Sequence, residues 1–194
     1  MTKIPVWTCG ITVASLAVYF TPSLEKLFIY DRNAVFSGEL WRIVSCYLVH
    51  YSPSHLFYNS IVFLIVGALI EQRSHSFLGP LCLVMALSIS GVLLIFKPEI
   101  IYYAGLSGVA CGAVVYYILL EASKQNNKRG LIYPGLLLLL VAGKLISEIF
   151  FGQTLFATTN VEIKPVFLTH FTGVLTAILF FFSVGVKNYK LEYI

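Results

Sequence analysis

Charge is what this chain has least of. Asp, Glu, Lys and Arg make up 11% of its 194 residues, and Asp31 is the only aspartate. Soluble domains carry about 25% charged residues. With 58% of the residues hydrophobic, an ordinary soluble domain is excluded. The net charge of +4, in so apolar a chain, points to topology and anionic lipid headgroups, and no nucleic-acid partner is expected. Paired cysteines are also missing. Cys9, Cys46, Cys82 and Cys111 form no CxxC, so neither a zinc knuckle nor a redox couple is indicated. Three of them lie in apolar segments as small buried hydrophobes, only Cys46 is expected near an aqueous face, and no structural disulfide is expected. HExxH is absent as well, so no zinc site of that type, and no metal or cofactor, is expected.

What is abundant is apolar sequence in runs. A membrane-spanning helix needs about 20 residues. The pattern predicts one all-α membrane domain over 1–194, with six transmembrane helices at approximately 4–20, 55–72, 77–96, 105–121, 131–151 and 165–186. The first run has no clear small-residue cleavage site and is read as a retained helix rather than a signal peptide. With the N-terminus inside, the inner flanks carry seven basic residues (Lys3, Arg73, Lys124, Lys128, Arg129, Lys187, Lys190). The longer outer loops carry five (Lys26, Arg32, Arg42, Lys97, Lys164), so both termini are expected in the cytoplasm. The first outer loop, 21–54, mixes apolar and charged residues and suits short amphipathic pieces in the interface, with Trp41-Arg42 as an anchor whose cation snorkels to water. The polar loop 152–163 is expected to cap the outer end.

The few polar residues inside the spans fall into a pattern. Ser107 stands among Gly105, Leu106, Gly108 and Gly112 at the mouth of the fourth helix. Gly108 and Gly112 form a smooth stripe where another helix can come close. His55 and Asn59 share a face at the start of the second helix, and His170, followed by Gly173 on the same face, lies just inside the sixth. Each has a bland reading. A lone serine in a span bonds its own backbone, a GxxxG stripe is packing, and His55 can be an interfacial histidine. An ionisable residue such as His170 inside a span is a functional candidate by itself. Together, at one depth, they supply what serine hydrolysis needs: Ser107 as nucleophile, His170 as base, and His55, Asn59 and backbone amides near Ser107 as oxyanion donors. The carboxylate nearest to His170 in sequence, Glu162, lies beyond Pro165, so a Ser–His dyad is expected rather than a triad. Lys144 and Glu148, four apart in the fifth helix, read as an ion pair or a lysine–backbone contact.

Gly105-Leu106-Ser107-Gly108 with Gly112 resembles the active-site motif of rhomboid intramembrane serine proteases. His55 with Asn59 resembles their oxyanion pair, His170 with Gly173 their base, and Trp41-Arg42 their first-loop dipeptide; the resemblance runs from residue 38 to about 180. Tyr30-Asp31-Arg32, the segment 38–42, Leu48-Val49-His50 and the segment 143–152 resemble the rhombosortase branch more narrowly. That resemblance implies a multi-pass protein of the bacterial inner membrane whose periplasm-facing site cuts C-terminal tails bearing a Gly-Gly motif, an apolar span and a basic end. The acyl group would pass to water or to an amine nucleophile. It also implies supporting roles for His50, Lys144 and Glu148. The partners expected are such transmembrane protein substrates and membrane lipid. The alternatives are a rhomboid protease with other substrates, a non-catalytic rhomboid-like protein that binds membrane segments, a channel or transporter, and a haem or metal protein using His55 and His170.

Overall fold

A computed structural model describes residues 4–73, 77–125, 127, 129–151 and 167–185. The described residues are mostly helical. In order come α1 (Val6–Tyr19), α2 (Pro22–Phe28), α3 (Arg32–Phe36), α4 (Arg42–Ser45), α5 (Pro53–Arg73), α6 (Leu78–Phe96), α7 (Ser107–Ser123), α8 (Ile132–Phe151) and α9 (Phe167–Phe180). A 3-10 turn, Cys46–Leu48, follows α4, and α9 runs on into a π turn, Phe181–Gly185. The only strands among the described residues are β1 (Tyr30–Asp31) and β2 (Tyr102–Tyr103), paired antiparallel with Tyr30 opposite Tyr103.

Among the described residues, four helical stretches are long and apolar enough to cross a membrane: α5, α6, Ile132–Phe150 and Phe167–Val184. α1 and α2 pass only as a pair, bent by 112°. The expected helix at 105–121 begins at Ser107, because Gly105 takes a φ of +121°, which breaks the helical path before it. α7 is therefore 17 residues, about 25 Å at 1.5 Å per residue. It is surrounded by protein nearly all round, with Val109, Ala113, Tyr116 and Leu120 buried on successive turns. A helix shielded by its neighbours need not match the lipid thickness on its own. The expected cap at 152–163, and residues 165, 166 and 186 of the last helix, lie outside the described residues.

Two ties organise the ends of the bundle. At one end the buried Glu71 of α5 caps α1. Its carboxylate accepts hydrogen bonds from the Trp7 amide (3.1 Å), the Thr8 amide (2.8 Å) and the Thr8 hydroxyl (2.6 Å). A carboxylate on the positive end of a helix satisfies amides that have no intrahelical partner. Nearby, Arg73 bridges to Glu121 of α7 at 2.6 Å.

At the other end the segment 22–48 is stapled together by Arg42. Its guanidinium donates to the carbonyls of Lys26 (2.9 Å) and Ile29 (2.7 Å) and pairs with Glu39 at 2.7 Å. The expected snorkelling cation is corrected here: Arg42 is buried, because the loop folds back and offers it carbonyls. Trp41 does stand exposed, its indole N–H on the Leu27 carbonyl at 3.1 Å. Ser90 and Tyr47 fasten this segment to α6: Ser90 donates to the Ile43 carbonyl at 2.6 Å and Tyr47 to the Ala86 carbonyl at 2.9 Å. Cys46 is fully buried in that seam, where burial pushes its thiol pKa upward, and Cys9 is the exposed cysteine; the expectation for Cys46 is reversed.

Candidate active site

The chain entering α7 is held from two sides. β2 pairs with β1, and the Gly105 amide donates to the Cys46 carbonyl at 3.1 Å. Ser107 is thus the first residue of a helix whose approach is pinned to the stapled segment. The first i→i−4 bond at this end runs from the Ala110 amide to the Leu106 carbonyl at 2.8 Å. The amides before it belong to the first turn, where no intrahelical acceptor exists.

α9 reaches Ser107 because glycines let the two backbones meet at the crossing. A Cβ built on Gly108 would stand 3.0 Å from the Thr169 carbonyl oxygen, and one on Gly112 would stand 2.6 Å from the Gly173 carbonyl oxygen. A Cβ on Gly173 would run into the Gly108 carbonyl oxygen. The backbones touch, and His170, one turn before Gly173, is carried onto the serine. Its Nε2 lies 2.8 Å from Ser107 Oγ. His170 is buried and Ser107 partly open.

His170 Nδ1 meets Glu148 Oε2 at 2.5 Å, and Glu148 Oε1 meets Lys144 Nζ at 2.5 Å. Lys144 Nζ is 3.4 Å from His170 Nδ1. No carboxylate was expected beside His170, and Glu148 stands there. The acid comes from α8, a neighbour in space, whereas a search along the sequence from His170 finds only Glu162. Asp31 is occupied elsewhere, capping α3 through the Asn33 (2.9 Å) and Ala34 (3.2 Å) amides. The two charges four residues apart within one span were the visible signal, and the ion pair expected of them is present; what sequence did not show is that the pair faces His170.

His55 sits where Ser52 and Pro53 start α5. The Ser52 hydroxyl accepts from the His55 amide at 3.2 Å, and proline follows at the first helical position. The His55 ring packs on the bare backbone of Gly105, and a Cβ there would stand 2.6 Å from its Cε1. His50 meets the same ring edge-on, with centroids 5.0 Å apart, and Tyr51 stacks on it at 6.3 Å. His50 is buried, its Nδ1 lies 3.2 Å from the Leu48 carbonyl, and burial and the neighbouring His55 push its pKa down to about 3. Asn59, one turn along α5, is buried, and its Nδ2 has no hydrogen-bond partner among the described residues. His50 Nε2 is likewise unpartnered.

A histidine held between a serine hydroxyl and a carboxylate, in a bundle of membrane-length helices, defines the class: a multi-pass membrane protein with a serine–histidine–carboxylate cluster between its helices. Residues 37–187 match the Rhomboid domain family. The chain belongs to the rhomboid family, whose members include intramembrane serine proteases. It is also 39% identical over 52 residues to "RHOMBOID-like protein 5" of Arabidopsis thaliana. That match covers 27% of this chain and 17% of the plant protein.

Proposed function

We propose that this chain is an intramembrane serine endopeptidase acting through Ser107 and His170. The observation that carries the reading is the 2.8 Å contact between Ser107 Oγ and His170 Nε2 at a crossing built from glycines. As Oγ attacks the scissile carbonyl carbon, its proton passes to Nε2 and the carbonyl π electrons move onto oxygen. The first-turn amides of α7, the unpartnered Asn59 amide and His55 then hold that oxyanion. Collapse expels the amine, which takes the proton from Nε2, and leaves the acyl group on Ser107 for water or another amine. Haem ligation by His170 is disfavoured on geometry, since both of its ring nitrogens are already engaged.

The finer reading is a rhombosortase-type enzyme: six spans, both termini cytoplasmic, the site facing the periplasm of a bacterial inner membrane, and Gly-Gly-bearing C-terminal tails as substrates. Its support is the resemblance of the segment 143–152 together with the fact that Lys144 and Glu148, from that segment, bear on His170. Glycines suit such a tail because they unwind easily and let the backbone enter a tight site. Fluorophosphonate labelling in detergent tests the enzyme reading. Labelling that is lost in Ser107→Ala and in His170→Ala supports it. Equal labelling of all three, or none by folded wild type, leaves the membrane-segment-binding protein. For the substrate, a reporter tail whose Gly-Gly is replaced by Leu-Leu should resist cleavage; undiminished cleavage points to a rhomboid with other substrates.

A further inference from the structure

We propose that Glu148 and Lys144 are positioning residues for His170: Glu148 fixes its tautomer, and Lys144 fixes which atom at position 148 faces the imidazole. This rests on the reading of Ser107 and His170 as nucleophile and base. A carboxylate can only accept hydrogen bonds. With Oε2 at 2.5 Å, the proton of the neutral ring therefore sits on Nδ1, and the Nε2 lone pair is left facing Ser107 Oγ. That is the tautomer a general base needs, since a ring protonated on Nε2 cannot accept from the serine. During attack the Oγ–H bond breaks, an Nε2–H bond forms, and the Nδ1–H stays on the ring, donated to Glu148. The resulting imidazolium lies beside the carboxylate that stabilises it.

Lys144 has a separate task. Glu148 is buried, and an isolated carboxylate at membrane depth is strongly unfavourable. The ammonium on Oε1 offsets that penalty without taking Oε2 from the histidine. Before attack the cluster carries one positive and one negative charge around a neutral ring. The lysine also orients whatever stands at 148, because an ammonium donates three hydrogen bonds and accepts none.

This arrangement predicts a reversal that a merely structural ion pair does not. In Glu148→Gln the single amide oxygen is drawn to Lys144. The NH2 group then turns to His170 Nδ1, where it donates, so the ring proton moves to Nε2. Removing the lysine as well frees the amide oxygen to return to Nδ1. The rate constant of fluorophosphonate labelling in detergent reads this directly. Glu148→Gln is expected to label about 10³-fold more slowly than wild type. Lys144→Met/Glu148→Gln is expected to regain about tenfold or more, the scale of coupling between contacting residues. Lys144→Met/Glu148→Met, equally free of buried charge but with no acceptor for Nδ1–H, should stay slow. Wild-type labelling by Glu148→Gln overturns the proposal. Equal rates in the two double variants overturn it too, and that comparison holds even if the single variant fails to fold. Loss of labelling in Ser107→Ala and His170→Ala alongside either of those outcomes would leave the protease reading standing without this cluster. Labelling that ignores Ser107 and His170 would remove both.

Discussion

One methyl group at position 105 would break two things. Gly105 has a φ of +121°, and its missing side chain is where the His55 ring lies, 2.6 Å from the built Cβ. A non-glycine residue in such a conformation costs on the order of 1–3 kcal/mol, and the His55 ring would have to move off residue 105. Gly105→Ala is expected to cut the labelling rate about 10²-fold, as small misplacements of catalytic groups do. A wild-type rate would show that His55 is not held by this contact. Asn59 makes a complementary prediction, since its buried Nδ2 has no partner among the described residues and the proposed mechanism uses it on the oxyanion. Asn59→Ala should lower kcat for a transmembrane substrate by about 10²–10³-fold, with KM little changed. A fall in affinity at constant kcat would instead make Asn59 a substrate-binding residue.

At the scale of helices, the site depends on how closely α7 and α9 approach. Gly108, Gly112 and Gly173 each face backbone of the other helix, so no side-chain rotation can make room. Gly173→Ala should therefore push His170 from Ser107 and cost about 10²-fold or more in labelling. A variant that labels normally would mean the helices can slide apart without disturbing the pair. The far end of the bundle offers a test of stability alone. Glu71→Gln keeps the shape of the α1 cap but loses the charge on two amides and a hydroxyl. It should destabilise the fold by about 2 kcal/mol, seen as a lower Tm in detergent, with the labelling rate per folded molecule unchanged. Much of this was legible in the sequence. Apolar runs gave the long helices to within a few residues, and the spacing of Gly108 and Gly112 gave a stripe that another helix could approach; that Gly173 meets it came from the structure. The position of Ser107, His55 and His170 at one end followed from the order of the runs. What sequence did not carry was rotation about a helix axis. Lys144 and Glu148 share a face at any rotation, so their pairing was readable, but which neighbour that face meets depends on how α8 packs. Arg42 was misread for a related reason: an interfacial arginine looks alike whether it reaches water or a ring of carbonyls, and only the fold of 22–48 decides.

At the scale of the whole molecule, burial of one histidine outside the spans ties folding stability to pH. His50 lies in the turn before α5, buried against His55, with its pKa pushed down to about 3 by burial and by its neighbour. An unfolded histidine titrates near 6.5. Between these values the unfolded chain binds a proton at His50 that the folded chain does not, so folding stability falls as pH drops through that window. The loss from one such group approaches about 1.4 kcal/mol per pH unit in the middle of the window. Above pH 7 both states are neutral there and the group adds no slope. The destabilisation acts where the stapled segment 22–48 meets the start of α5, next to His55, so the site end of the bundle should loosen first. Thermal unfolding in detergent should show a Tm that declines from pH 6.5 toward pH 4. His50→Phe, which keeps an aromatic ring against His55 and removes this titrating group, should make that decline shallower even if its Tm at pH 7.5 is lower than wild type. A decline equally steep in the variant would place the acid sensitivity in other groups. A wild-type Tm that does not move over this range would mean His50 takes up its proton in the folded protein with little penalty.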